Sequence, residues 1–232
     1  MLRRDPCALA LGYTRTMMGF LLFQPSPRRI SMIGLGGGSL VRYCYRYLPA
    51  TVIAAVEINP EVIALRDVFR LPPDDGRFSV VCADGADYVG EPGHRPDVLL
   101  VDGFTAEGMP ASLGTDEFYE DCRRRLSDDG VMVMNLVTDE PGFHDYLRAL
   151  RRVFGRSLAL APAQGSDYNV VVFAWKGVRE WPSGRDLLQR AGTLAPLHQV
   201  DMLAVIAALE RGRPFDWGRY DMLPPAPNSR FR

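Results

Sequence analysis

The chain alternates short apolar runs with stretches whose apolar residues recur at helical spacing. The helical stretches separate most of the runs, and residues 143–153 show that spacing clearly. The strand-length runs lie at residues 30–33, 52–56, 78–83, 97–101 and 131–137. Strands that alternate with helices predict βαβ units and a parallel sheet.

The second half of the chain breaks this alternation. Strands predicted at residues 157–161 and 168–175 follow each other with only a short loop between them. They must run antiparallel, because parallel neighbours need a crossover of a dozen or more residues. We therefore predict an α/β fold with a doubly wound, mostly parallel seven-stranded sheet and one antiparallel strand, as in class I methyltransferases.

Both ends of the chain extend beyond this sheet. Residues 8–23 predict a short N-terminal helix across the mouth of the sheet, and residues 183–211 predict one or two helices. The tail from Arg213 is rich in proline and aromatic residues, and we expect it to be extended or disordered. The expected parts are an N-terminal helix and lead-in (1–29), a nucleoside-binding catalytic domain (30–176) and a C-terminal helical extension with its tail (177–232).

A glycine-rich loop follows the first predicted strand. It reads Gly34-Leu35-Gly36-Gly37-Gly38, and Ser39 after it can cap the next helix. Such a loop brings backbone N–H groups close to a ligand, and the helix N-terminus adds a partial positive charge. The next strand ends at Glu57, about 20 residues after the loop, where nucleotide-binding α/β units hold ribose hydroxyls. We interpret the pattern as a nucleoside site, because a loop that served only close packing would not require this acid.

The loop alone does not identify the nucleoside. An NAD site has Gly or Ala where Ser39 stands, and it also holds a pyrophosphate. An adenosyl-sulfonium cofactor needs only a close glycine wall and acids for its ribose and adenine. Asp84 and Asp102 end the third and fourth strands, so they should meet Glu57 at one edge of the sheet. This set fits adenosine, with Glu57 on the ribose, Asp84 on the adenine and Asp102 facing the sulfonium, although Asp84 alone could equally be a helix cap.

These residues resemble the spermidine synthase family, the polyamine aminopropyltransferases with a methyltransferase fold. The resemblance covers roughly residues 12–176, and it implies that Asp102 holds and deprotonates the attacking amine. The matching positions are Pro25-Ser26-Pro27, the glycine loop, Asp84-Gly85, Asp102, Gly108, Ser112-Leu113, Thr115 and Glu117-Phe118-Tyr119.

The chain also departs from the family pattern. Thr105 stands where the family has a second Asp, and Gly37 stands where its glycine loop has an Asp. The family's small N-terminal β-domain and the His and Glu expected near Tyr13 are not recognisable. The loop Asp favours decarboxylated S-adenosylmethionine and repels the carboxylate of S-adenosylmethionine itself. Its absence therefore favours S-adenosylmethionine as the cofactor.

We accordingly expect a transferase that moves a methyl group from S-adenosylmethionine to an amine nitrogen of an unknown acceptor. Aminopropyl transfer from decarboxylated S-adenosylmethionine is the alternative, and a catalytically degenerate nucleoside-binding subunit is a further one. The catalytic residue would be Asp102, while Tyr13, Thr105 and Tyr119 are candidates for the acceptor pocket that would serve equally as core or cap residues. The expected cofactor-binding residues are Gly34, Leu35, Gly36, Gly37, Gly38, Glu57, Ile58, Asp84 and Gly85.

Composition limits the classes of partner that we expect this chain to bind. The net charge of −1 gives no sign of nucleic-acid or membrane-surface binding, and the four cysteines show no spacing for a metal site or a disulfide. No apolar run is long enough to span a bilayer. We expect a cytoplasmic enzyme without a metal, acting on a small-molecule or protein amine, and a homodimer remains open.

Overall fold

The computed structural model describes residues 5–105, 107–177 and 182–221. Its strands form one seven-stranded sheet in the order β3-β2-β1-β4-β5-β7-β6. They are β1 (Arg29–Ile33), β2 (Val52–Glu57), β3 (Phe78–Cys82), β4 (Val98–Val101), β5 (Val131–Val137), β6 (Leu158–Pro162) and β7 (Asn169–Trp175). The pairs among β1 to β5 are parallel, and β7 is antiparallel to both β5 and β6. The predicted mostly parallel sheet with one reversed strand is confirmed.

Helices cover both faces of the sheet. They are α1 (Gly12–Met17), α2 (Ser39–Tyr47), α3 (Pro60–Ala64), α4 (Gly85–Gly90), α5 (Asp116–Arg125), α6 (Phe143–Phe154), α7 (Gly184–Leu194) and α8 (Met202–Gly212). Side chains of β1 alternate between the two faces: Ile30 and Met32 pack with α1, α2, α7 and α8, whereas Ile33 packs with α4, α5 and α6. Among the described residues, no helix is both long and apolar enough to cross a bilayer.

The N-terminal helix is shorter than its apolar spacing predicts. It begins at Gly12, and a 3₁₀ turn over Met18–Leu22 continues it. Leu11 before it is extended, and the carbonyl oxygens of Leu9 and Ala10 accept hydrogen bonds from the Arg15 guanidinium, at 2.9 and 2.8 Å, in place of helical N–H groups. Leu9 belongs to the same buried core cluster as Met17, which explains why the apolar spacing begins before the helix.

The start of the tail is folded, contrary to the expectation from its composition. Residues Trp217–Tyr220 form a 3₁₀ turn, and the side chain of Tyr220 is buried. Its hydroxyl lies 2.9 Å from His144 Nδ1 on α6, and Asp221 forms an ion pair with Arg151. The rest of the predicted tail, residues 222–232, lies outside the described residues.

Candidate active site

The carboxyl ends of β1 to β4 open into a cavity of about 740 Å³. This is the edge at which parallel α/β sheets bind their ligands. Eight of the residues predicted from the sequence line this cavity, namely Gly34, Gly36, Glu57, Ile58, Asp84, Gly85, Asp102 and Thr105.

The glycine loop passes very close to the end of β4. Gly34 has a φ of 93°, and a Cβ at this position would lie 2.3 Å from the carbonyl oxygen of Asp102. Only glycine allows this approach. The loop ends at Gly38, which has a φ of 65° and occupies the N-cap position of α2. Ser39 is therefore the first helical residue, and its side chain does not cap the helix as the sequence suggested.

Glu57 connects the ends of β1 and β2. Its Oε2 accepts a hydrogen bond from the backbone N–H of Leu35 at 3.0 Å, and its Oε1 accepts one from Asn59 N–H at 2.9 Å. These bonds fix the carboxylate at the cavity wall, and each oxygen keeps a lone pair that could accept a ribose hydroxyl. Leu35 is buried and contributes its N–H to Glu57, but it does not line the cavity.

Asp84 is a helix cap that also lines the cavity. Its Oδ1 accepts hydrogen bonds from the N–H groups of Ala86 and Asp87 at the start of α4, at 2.6 and 3.3 Å. Both bonds go to Oδ1, so Oδ2 is the oxygen that could accept an adenine amino group. The two interpretations of this residue from the sequence are thus compatible.

Asp102 lies at the end of β4, where Asn135 Nδ2 donates a hydrogen bond to its Oδ1 at 3.0 Å. The Tyr13 hydroxyl also bonds to this carboxyl, although Tyr13 does not line the cavity itself. Burial raises the pKa of Asp102 from its ordinary value, and the hydrogen bonds from Asn135 and Tyr13 oppose this rise. Burial and the neighbouring Asp102 also raise the pKa of the Tyr13 phenol, which therefore stays a neutral donor.

Some predicted residues lie away from the cavity. A Cβ on Gly37 would contact the Phe69 ring at 3.7 Å, and a Cβ on Gly38 would collide with Leu71. The fully buried Tyr119 belongs to the core beneath α5, where its hydroxyl donates to Met134 Sδ at 3.6 Å. This position does not agree with a role for Tyr119 in the acceptor pocket.

The segment between β4 and α5 supplies lining residues that the sequence reasoning missed. Thr105 and Gly108 pair across a tight turn, with Thr105 N–H donating to Gly108 O at 2.9 Å. Glu140 Oε1 holds the next residue by accepting Met109 N–H at 3.0 Å. The additional lining residues of this segment that carry side chains are Phe104, Glu107, Pro110, Ser112 and Leu113, and those from elsewhere are Ile33, Val56, Asn59, Val62 and Ala83. Of these, Ser112-Leu113 belongs to the family motif. Glu107 lies in a turn, and no sequence pattern predicts that it lines the cavity.

The charged side chains that line the cavity are all acidic. Among the described residues they are Glu57, Asp84, Asp102 and Glu107, and no Lys, Arg or His lines the cavity with them. A cleft lined by one sign of charge attracts ligands of the opposite sign. Within the described ranges, no three His, Cys, Asp or Glu side chains are grouped so that they could hold a metal ion.

Comparisons with known proteins agree on the family. The family model described as the spermine/spermidine synthase domain matches residues 10–159. The polyamine aminopropyltransferase of Neisseria meningitidis serogroup A is 40% identical over 212 residues, which cover 90% of this chain and 80% of that protein. The polyamine aminopropyltransferase of Chromobacterium violaceum is 44% identical over 171 residues, which cover 73% of this chain and 66% of that protein.

Two solved structures show the same fold. A probable spermidine synthase from Corynebacterium glutamicum is 22% identical with a TM-score of 0.69, and the match covers 89% of this chain and 80% of that one. Human methyltransferase-like protein 13, solved in complex with SAH, is 25% identical with a TM-score of 0.71, and the match covers 80% of this chain and 91% of that one. The fold is thus common to methyltransferases and spermidine synthases.

The expectation of methyl transfer is wrong. The relatives at 40% and 44% identity are named polyamine aminopropyltransferases, which supports the alternative reaction and an enzyme of the transferase class rather than a degenerate subunit. The physical reason lies at Gly37, because the acid that is absent there does not determine the charge of the cavity. Gly37 does not line the cavity, and the charge there comes from four other carboxylates.

Proposed function

The chain belongs to the spermine/spermidine synthase family, and we propose that it transfers the aminopropyl group of decarboxylated S-adenosylmethionine to a small-molecule amine. The observation that carries the proposal is the acidic lining of the cavity. Decarboxylated S-adenosylmethionine has a sulfonium and an ammonium but no carboxylate, and an alkyl diamine is also a cation at neutral pH. S-adenosylmethionine would bring its carboxylate into a cavity whose charged side chains are all carboxylates.

In the proposed reaction, an amine nitrogen attacks the aminopropyl carbon next to the sulfonium sulfur. A C–N bond forms while the C–S bond breaks, and the electron pair of that bond goes to sulfur. The products are the aminopropylated amine, methylthioadenosine and one proton. Because the sulfonium is already a good leaving group, the protein contributes mainly by positioning the two reactants and excluding water.

The cofactor would lie along the ends of β1 to β3. In this proposal Gly34 and Gly36 form the wall behind the sulfonium side of the nucleoside, and Glu57 binds the ribose hydroxyls. Asp84 receives the adenine amino group through Oδ2. Ile58 and Gly85 line the same part of the cavity and complete the apolar surface for the adenine ring.

The acceptor amine would lie against Asp102. An amine with a pKa near 10 arrives as an ammonium and must lose a proton before it can attack. In the proposal, Asp102 holds the ammonium, assists loss of its proton to water and stabilises the charge that develops on the attacking nitrogen. Thr105 and Glu107 line the same cavity, so Glu107 can receive the second ammonium of a diamine. An Asp at position 105 is then not required for this contact.

The test is a comparison of the two cofactors. The purified chain is incubated with decarboxylated S-adenosylmethionine or with S-adenosylmethionine, each with putrescine, cadaverine or spermidine, and the products are identified by mass spectrometry. We expect methylthioadenosine and an aminopropylated amine with the decarboxylated cofactor and no turnover with S-adenosylmethionine. Absence of methylthioadenosine with every amine, although the decarboxylated cofactor binds, would overturn the proposal.

The proposal also includes the expected cytoplasmic location and a homodimer. The location follows from the proposed substrates, which are small cytoplasmic amines, and the homodimer is a separate proposal that does not follow from the chemistry. Cell fractionation tests the location, and size-exclusion chromatography with light scattering tests the dimer.

A further inference from the structure

Asp102 is the end point of a hydrogen-bonded chain of side chains that crosses three strands. Ser166 Oγ donates to Asn169 Oδ1 at 2.7 Å, and Asn169 Nδ2 donates to Asn135 Oδ1 at 3.1 Å. Asn135 Nδ2 then donates to Asp102 Oδ1 at 3.0 Å. This series of hydrogen bonds begins in the loop before β7, crosses β7 and β5, and ends at the carboxyl end of β4.

The direction of this chain is determined at its far end. Ser166 Oγ accepts the backbone N–H groups of Tyr168 and Asn169, at 3.3 and 3.2 Å. A serine hydroxyl that accepts two hydrogen bonds has one proton left to donate, and here the proton goes to Asn169 Oδ1. Asn169 must therefore present its NH₂ group to Asn135 Oδ1, and Asn135 must present its own NH₂ group to Asp102.

We propose that Asn169, through Asn135, is a positioning residue that keeps an N–H donor directed at the Asp102 carboxylate. Asn135 is only 3% exposed, so it cannot replace a lost partner with bulk water. With the opposite orientation, Asn135 Oδ1 would face Asp102 Oδ1, and two acceptor oxygens would repel each other. The proposal rests on the proposed function only in that Asp102 is taken as the residue that holds the acceptor amine.

The chemical value of this arrangement lies in the charge of Asp102. A neutral carboxyl cannot hold an ammonium, and burial favours the neutral form. The hydrogen bond from Asn135 favours the ionised form, as does the Tyr13 hydroxyl from α1. The titratable groups around Asp102 are Tyr13, which bonds to it, and Glu57, Asp84 and Glu107, which line the same cavity. None of these is a cation, which leaves the Asn135 amide as a main source of stabilisation for the carboxylate.

The variant that tests the direction of these hydrogen bonds is Asn169→Asp. Its carboxylate has nearly the same shape as the amide but cannot donate a hydrogen bond. A carboxylate at position 169 would accept the NH₂ group of Asn135, and Asn135 would turn its oxygen towards Asp102. We expect the acid limb of the pH profile of kcat/KM for the amine to move to higher pH by roughly one unit, since a hydrogen bond to a charged group is lost. Affinity for methylthioadenosine should not change.

A second variant separates this route from the long-range effect of the new charge. In an Asn135→Leu background there is no amide to turn, so Asn169→Asp should cause no further shift of the acid limb. A shift that persists there would show that the charge acts through space, and it would overturn the proposal. Ser166→Ala, which removes the hydroxyl that sets the direction, should move the limb the same way by a smaller amount, and it serves if Asn169→Asp does not fold.

One readout does not depend on activity. The side-chain ¹⁵N resonance of Asn135 should follow the ionisation of Asp102 in a pH titration of the ligand-free protein, and this transition should vanish in Asp102→Asn. Asn169→Asp should move its midpoint to higher pH. An unchanged midpoint in a folded variant would overturn the inference about the hydrogen-bonded side chains. A protein that titrates as expected but forms no methylthioadenosine would overturn only the proposed function.

Discussion

The two halves of the cavity are built in different ways. In the cofactor half, Glu57 binds Asn59 two residues away and Leu35 in the adjacent βα loop, and Asp84 binds Ala86 two residues away. In the acceptor half, Asp102 depends on Asn135, which is 33 residues away, and Asn135 depends on Asn169, a further 34 residues along. The first half is a property of single βα units and of two consecutive ones, whereas the second is a property of how distant strands pack together.

The difference implies that binding and turnover can be separated by mutation. The cofactor half should control affinity for the nucleoside. The acceptor half should control the rate and the use of the amine. The variants below test whether that separation holds.

Asp102→Asn should have the largest effect. The substitution keeps the shape of the side chain and removes its charge, so that the acceptor ammonium is no longer held or assisted in losing its proton. Turnover should fall by about 10²–10⁴, the usual contribution of such assistance, while methylthioadenosine affinity changes little. Steady-state rates and calorimetric titration measure the two quantities. Near-normal turnover in the folded variant would show that Asp102 is not the catalytic residue.

Glu57→Ala should mainly reduce cofactor affinity. A charge-assisted contact to the ribose is worth about 1.5–3 kcal/mol, which corresponds to a loss of roughly 10- to 100-fold in affinity for methylthioadenosine. The rate at saturating cofactor should fall much less. Glu57→Gln keeps one acceptor oxygen, so its affinity for methylthioadenosine should lie between those of the alanine variant and the wild type. Equal affinities for wild type and Glu57→Ala in calorimetric titration would remove this residue from the site.

Glu107→Gln should have a smaller effect, confined to the amine. Glu107 is exposed, and exposed ion pairs are worth about 0.2–1 kcal/mol, so KM for a diamine should rise roughly two- to fivefold. The difference from wild type should shrink at high salt. Glu120→Gln, which changes an exposed acid on α5 that does not line the cavity, is the matched control. An unchanged KM would exclude Glu107 as a contact of the second ammonium.

The same contrast explains how much could be predicted from the sequence. Strand-length apolar runs, the glycine loop and the acids after β2, β3 and β4 all lie within local patterns. The amino-acid sequence alone therefore places Glu57, Asp84 and Asp102 at one edge of the sheet. The amino-acid sequence favours methyl transfer over aminopropyl transfer because the glycine at position 37 lies in a local pattern, whereas no local pattern describes the lining of the cavity.

The acceptor half shows the limits of local patterns. Tyr119 follows Phe118 in a family motif, yet both side chains are buried, and motif membership alone does not say which residues face the ligand. Glu107 lies in a turn closed by Thr105 and Gly108, with no periodicity to give its direction. Asn169 meets Asn135 only because β7 runs antiparallel to β5, which is a tertiary relation.

The smallest predicted effect concerns stability and again contrasts Asp102 with Glu57. Burial raises the folded-state pKa of Asp102, so the native state keeps this proton to a higher pH than the unfolded chain does. Stability is therefore lost as pH rises from the unfolded pKa, about 3.9, through the raised folded value, and the partly buried carboxylate destabilises the fold at neutral pH. Asp102→Asn should raise the melting temperature at neutral pH, and this gain should disappear below about pH 4.

Glu57→Gln should instead lower the melting temperature, because its amide NH₂ would face the N–H of Leu35 or of Asn59. Thermal unfolding of the three proteins across pH measures both changes. A gain for Asp102→Asn that persists in acid would show that relief of a buried charge is not its cause.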